Sequence, residues 1–133
     1  MYVIIWLLKD TNMKPKDLSK ISIEITLSML NTKWKPLIIK ELLTGTKRFL
    51  ELQTAIGKIT KKVLIKNLRD MEEKELLERK SYKEIPPRVE YTLTDLGYSL
   101  ATVLDSMAEW GGAYYEFQKI VAKRNKKNKL NNV

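Results

Sequence analysis

The chain has 133 residues, 25 Lys and Arg against 16 Asp and Glu for a formal charge of +9, and neither His nor Cys. That is one domain's length, enough to bury about two-thirds of the surface its unfolded chain exposes, so a core needs no disulfide or metal. Missing cysteine excludes thiol nucleophiles and disulfide or zinc-ribbon scaffolds, missing histidine removes the usual base and nitrogen ligand, and the surplus of cations points to a polyanionic partner.

The amino terminus opens on Val3-Ile4-Ile5-Trp6-Leu7-Leu8. Six apolar residues cannot span about 30 Å of hydrocarbon, no cation precedes them and no small-residue cleavage site follows, so neither a signal nor a membrane span is expected. Two readings of residues 1–17 stay open: an extension that docks on the body, or a translation start at Met13. From Leu18 to Leu30 the apolar positions Ile21, Ile25 and Leu27 to Leu30 recur at helical spacing, and Asn31-Thr32 supplies a break. Trp34, Leu37, Ile38, Leu42 and Leu43 continue the period in a second helix, which must start close to Lys33 because Pro36 is tolerated only in a first turn; Gly45 ends it.

Thr46 is the expected cap of a short third helix carrying Phe49, Leu52 and Ile56 and closed by Gly57. Thr60 then caps a helix to about Lys74 with Val63, Leu64, Leu68 and Met71 on one stripe, and Ile59 and Leu64 have the spacing of a hydrophobic staple. Two short helices joined by a glycine-containing turn make a helix-turn-helix. Next, Leu76 to Tyr82 and Val89 to Leu93 read as short strands around a tip stiffened by Pro86 and Pro87. The fold class expected is mainly α with a small β-hairpin: a winged helix-turn-helix over residues 18–121, with additional helices at both ends for dimerisation.

A last helix is expected from the Thr94 cap, carrying Leu96, Leu100, Val103, Leu104, Met107 and Trp110, interrupted at Gly111-Gly112 and resumed by Tyr114, Tyr115, Phe117, Ile120 and Val121. Its stripe either packs within the chain under the first helix or forms the seam of a homodimer. The breadth of the face favours the seam, with Ile25, Leu100, Val103, Leu104, Met107, Trp110 and Tyr114 as its residues. Residues 94–118 hold four acids and no cation, whereas the tail from Lys119 carries Lys119, Lys123, Arg124, Lys126, Lys127 and Lys129 and no acid. Residues 122–133 are expected to fray as a solvated end, the other reading being a non-specific nucleic-acid arm.

Four blocks carry a resemblance. Asn31 to Ile39, Arg48 to Leu52, Pro86 to Gly97 and Trp110-Gly111, in order and at the expected separations across about residues 20–118, resemble the HxlR-type winged-helix transcriptional regulators of bacteria and archaea. The resemblance implies a homodimeric, DNA-binding regulator whose terminal helices make the dimer. Two positions depart from it. Many members have a sensing cysteine ahead of Val/Ile-Glu in the first helix, and none stands near Ile21 before Ile23-Glu24. The usual Gly-Gly before Lys-Trp is Asn31-Thr32.

Thr60 to Arg69 holds Lys61, Lys62, Lys66 and Arg69 with no anion, while Asp70 to Glu75 holds four acids and one lysine. The front of this helix, at the positive end of its dipole, suits phosphates and the major groove, and its acidic rear is expected to stay outside. Thr60, Lys61, Lys62, Ile65 and Lys66 are candidates for base edges or adjoining phosphates. Arg69 is a phosphate clamp or a partner of Glu72 or Glu73, and Lys47 and Arg48 are backbone contacts. In the wing, Lys83 and Arg88 flank the tip for the minor groove or phosphate, although Arg88 can equally pair with Glu84 or Glu90. Phe49, Trp34, Tyr91 and Trp110 read as core.

The expected partner is double-stranded DNA with a pseudo-palindromic operator, met in the cytoplasm. A protein–protein module with a basic face for an acidic partner is the other reading. An unidentified small-molecule effector has a candidate pocket at Trp110, Tyr114 and Tyr115. No enzyme activity, catalytic residue, cofactor or metal site is expected, since neighbouring carboxylates such as Glu72 and Glu73 diverge by about 100° on a helix.

Overall fold

The computed structural model describes residues 15–133, with side chains from Ser19 onward, so both readings of the Val3 to Leu8 run and Met13 lie outside the described residues. Helix α1 (Pro15–Met29) is followed by α2 (Trp34–Leu42), strand β1 (Lys47–Arg48), α3 (Phe49–Ile56), α4 (Lys61–Glu73), β2 (Leu77–Tyr82), β3 (Arg88–Leu93), α5 (Asp95–Tyr98) and α6 (Ala101–Asn131). The chain divides into two units, one ending at Ala101 and one from Thr102 to Val133.

In the first unit, Pro36 sits in the opening turn of α2, where its missing N–H leaves no bond unmade. The Thr32 hydroxyl accepts the Lys35 backbone N–H at 3.2 Å, a cap-like contact that turns the chain into α2. Ile38, Ile39 and Leu42 then face a core completed by Leu52 of α3, Ile59, Leu64, Leu68 and Met71 at the helix-turn-helix, and Leu76, Leu77, Tyr91 and Leu93 at the hairpin. Each such side chain contributes about 1.5–3 kcal/mol by leaving water. Phe49 and Trp34 are half-buried, with Lys33 lying 4.4 Å over the Trp34 ring.

Thr46 does not cap α3. Its hydroxyl meets that of Thr92 at 2.7 Å, and Arg48, in extended backbone, is the N-cap residue. The cause is β1, which pairs Lys47 with Tyr91 and Arg48 with Glu90, so that the sheet has the antiparallel order β1-β3-β2. Gly57 closes α3 at φ 92, a conformation with no steric penalty for glycine. Thr60 caps α4 by accepting from Val63 N at 3.2 Å, while Ile59 and Leu64 are both buried at the staple positions.

Helix α4 ends at its C-cap Lys74, as the sequence indicates, and closes on a left-handed residue. Leu76 N donates to Met71 O at 2.9 Å and Glu75 N to Glu72 O at 3.0 Å, the pair of bonds of a Schellman motif, with Glu75 at φ 61 where glycine is usual.

Instead of one helix from Thr94 to Gly111, Thr94 caps only the four-residue α5, and a turn at Ser99-Leu100 precedes α6. Thr94 is pinned to the hairpin: its N–H donates to Leu76 O at 3.1 Å and its hydroxyl to Glu75 O at 2.6 Å. A Cβ on Gly97 would stand 2.1 Å from the Leu76 carbonyl oxygen, so only glycine lets α5 approach this closely.

The second unit is α6. Gly111-Gly112, expected to interrupt it, lies within the helix, and residues 122–131, expected to fray, are helical too. Glycine costs only about 1 kcal/mol per position in a helix interior, which one or two positions in so long a run do not convert into a break. No residue of α6 is buried, and Trp110, read from sequence as core, is 69% exposed. Its ring stacks on Tyr114 at 5.3 Å, and Tyr114 meets Phe117 at 6.2 Å. Among the described residues no helix is long and apolar enough to cross a membrane.

Candidate nucleic-acid interface

Helix α4 presents four flanks. Leu64, Asn67, Leu68 and Met71 face the core. Diametrically opposite at 100° per residue stand Lys62, Lys66, Arg69 and Glu73, all exposed. Toward the hairpin, Lys61 and the half-buried Ile65 line a groove with Phe49, Arg69, Glu72, Arg79, Val89 and Tyr91. Thr60, Lys61, Lys62, Ile65, Lys66 and Arg69 therefore share one surface, with Thr60's hydroxyl engaged as the cap. Among the described residues no ion pair joins Arg69 to Glu72 or Glu73, which leaves its guanidinium on the cationic face.

The fourth flank lies against α1 and α2, away from the cationic row. Glu72 and Glu73 are exposed, but Asp70 turns inward and is ion-paired with Lys35, itself only 3% exposed. The Lys35 ammonium also donates to Asn31 Oδ1 at 2.8 Å, and Lys74 Nζ donates to Asp70 at 3.1 Å and to Ser28 O at 3.1 Å. One turn earlier Thr32 Oγ1 donates to Asn67 Oδ1 at 2.7 Å, and Asn67 Nδ2 donates to Val63 O at 2.8 Å. The Lys35 hydrogen bond holds the Asp70 carboxyl below its ordinary value, helped by Lys74 and opposed by partial burial. A polar bridge thus fixes the rear of α4 to the end of α1 and the start of α2, leaving its cationic front to solvent.

In the wing, register divides the side chains. Leu77, Arg79 and Ser81 oppose Leu93, Tyr91 and Val89 on one face, while Glu78, Lys80 and Tyr82 oppose Thr92, Glu90 and Arg88 on the other. Arg88 is held inside the hairpin: it reaches Glu84 at 3.2 Å and Glu90 at 3.6 Å and lies 3.9 Å over the Tyr82 ring. Its pairing role, one of its two sequence-level readings, is the one the geometry displays. Lys83 is exposed beside the tip, where Ile85 is fully exposed. Lys47 is half-buried, and Arg48 approaches Glu51 at 4.0 Å while remaining largely in solvent. Arg79, exposed on the groove beside α4, is a cation that sequence reading passed over, although its place in the strand alternation marks it.

The dimer candidates fall in two places. Ile25, 51% exposed, and Leu100, half-buried, line an apolar cavity of about 200 Å³ with Met29, Leu76 and Leu96, all within the first unit. On α6, Val103 and Leu104 are half-buried while Met107, Trp110 and Tyr114 are exposed. Tyr115, the third aromatic of the expected effector pocket, lies under Lys119 at 4.5 Å.

Residues 29–119 match the HxlR-like helix-turn-helix family. The chain belongs to that family. This HxlR-like chain is 44% identical over 93 residues to the HTH-type transcriptional regulator YkvN of Bacillus subtilis strain 168, covering 70% of this chain and 79% of YkvN. A regulator from Methanothermobacter thermautotrophicus is 41% identical over 98 residues, 74% of this chain and 75% of the relative. Among solved structures, the reduced form of the transcriptional regulator YodB from B. subtilis superimposes with a TM-score of 0.61 at 38% identity, over 74% of this chain and 90% of YodB. The HxlR-like protein is accordingly a DNA-binding transcriptional regulator with a winged-helix fold.

Proposed function

We propose that the protein acts in the cytoplasm as a homodimer that lays two copies of α4 in successive major grooves, about 34–36 Å apart, of a pseudo-palindromic operator. The observation that supports this reading is the exposed row Lys62, Lys66 and Arg69, followed only at its rear by Glu73, set diametrically opposite the buried face of α4 while Asp70 pairs with Lys35. Lys61 and Ile65 flank it toward base edges, Ile65 offering apolar contact to a thymine methyl. Lys47, Arg48 and Lys83 position the complex on phosphates, and Arg88 keeps the tip rigid. The dimer rests on Met107, Trp110 and Tyr114, exposed on α6 and too apolar a face for solvent.

YodB has been solved bound to a quinone, and HypR, a redox regulator, in oxidised and reduced forms. This chain has no cysteine, so an effector here acts without thiol chemistry. Its work lies in binding DNA and not in catalysis.

Duplex-binding titrations from low to moderate salt test the reading. Lys62→Gln with Lys66→Gln should weaken every duplex and flatten the salt dependence by about 2 logarithmic units per protomer. Unchanged binding would overturn the placement, and wild-type protein that ignores DNA but captures an acidic protein would favour the assembly-module reading.

A further inference from the structure

The family match ends at residue 119, but α6 runs to Asn131. The turns beyond that point carry Lys123, Arg124, Lys126, Lys127 and Lys129 with no acid. Their arrangement is ordered. At 100° per residue, Val103, Met107, Trp110, Tyr114, Phe117 and Val121 lie along one side of α6, and the same side continues as Asn125 and Asn128. The apolar stripe therefore stops at Val121. Lys119, Lys123, Lys126 and Lys127 occupy the opposite side, all exposed.

Lys119 is engaged with Glu116 at 3.3 Å and with the Tyr115 ring. Two bland explanations for the other cations fall short. The helix dipole places only about half a negative charge at the carboxyl end and acts within the last turn, where Lys129 alone stands. An interfacial membrane helix needs an apolar face, and from Lys123 to Lys129 there is no apolar residue. What remains is a row of exposed ammonium groups, the chemistry of phosphate-backbone contact.

We propose that Lys123, Lys126 and Lys127 form a second, sequence-independent contact to the phosphate backbone of duplex DNA. This rests on the DNA-binding reading above and adds to it a surface that carries affinity without selecting sequence. Lying opposite the apolar stripe, the row stays open when that stripe is covered.

The test compares full-length protein with its Lys123→Gln/Lys126→Gln/Lys127→Gln variant on random-sequence duplex DNA between 50 and 200 mM salt. Circular dichroism and sedimentation check that helix content and assembly are unchanged. Three phosphate contacts should contribute about 2.7 to the salt slope per protomer, so the wild type should lose about 40-fold more affinity per protomer than the variant across that range. Equal slopes, with the wild type binding DNA and the Lys62→Gln/Lys66→Gln variant impaired, would overturn this inference alone. A wild type that binds no duplex overturns both readings. Wild-type binding to phosphatidylserine vesicles that the variant loses, with DNA binding unchanged, assigns the row to a membrane and overturns the proposal.

Discussion

Replacing Asp70 by Ala strands the ammonium of Lys35. That lysine is 3% exposed, and after the change Asn31 Oδ1, at 2.8 Å, is the acceptor left to it. Removing one member of a fully buried pair costs about 3–5 kcal/mol. The Asp70 side chain is 36% exposed, so water already screens part of the attraction and about 2 kcal/mol is expected. The reciprocal change is milder: in Lys35→Met the carboxylate keeps Lys74 at 3.1 Å and its solvent, and the loss should stay below about 1 kcal/mol. The double variant, with no charge stranded, should be at least as stable as Asp70→Ala, a coupling of about 1–2 kcal/mol. Urea unfolding at neutral pH, followed by circular dichroism, reads this as a midpoint about 1 M lower for Asp70→Ala and partly restored in the double. Additive single changes would refute the idea that the two side chains act as a unit.

The same pair sets an acid limit. In the native state the Asp70 carboxyl lies below its ordinary value of 3.8, so as pH falls the unfolded chain takes up the proton first. The stabilisation is complete above about pH 5 and is lost as pH drops through the unfolded value toward the lower native one. Wild type should therefore lose more stability between pH 5 and 3 than Asp70→Ala, and parallel acid profiles would contradict the assignment.

At the end of α4, Glu75→Gly should raise stability by about 1 kcal/mol, because it removes a side chain from a left-handed backbone; a lower melting temperature would show that Glu75 makes an unrecognised contact. Trp110→Asp with Tyr114→Asp should give monomers by sedimentation while α4 remains folded, and a persistent dimer would move the seam elsewhere. In the wing, Lys83→Gln should lower the salt slope by about 1, whereas Arg88→Gln should lower thermal stability and leave the slope unchanged. A reversed outcome would return Arg88 to the DNA.

The helix-turn-helix was legible because each signal is local. Thr60, Gly57 and the Ile59/Leu64 spacing act within one turn of α4, and the hairpin declares itself through Pro86-Pro87 and the alternation around Tyr91. What escaped was long in range or short in length. β1 is two residues long, too brief for any period, and it formed at the expense of the Thr46 cap. Lys35 and Asp70 stand 35 positions apart, so no local spacing pairs them. The break at Ser99-Leu100 comes from Thr94 and Gly97 being fastened to Leu76, a contact that hydropathy does not encode. At Gly111-Gly112 and beyond Ala122, local weakness was overrated against the cooperativity of a long helix. The cationic face of α4 was anticipated, but Arg79 needed the strand register to join it.

Strand β1 takes its hydrogen bonds from β3, and β3 also carries the hairpin tip. The entrance to α3 and the far end of the wing are thus two edges of one stiff plate. In the proposed complex, a groove too wide or too narrow for the tip would tilt that plate and draw Lys47 and Arg48 off the backbone. A load placed on one edge is thereby carried to the other.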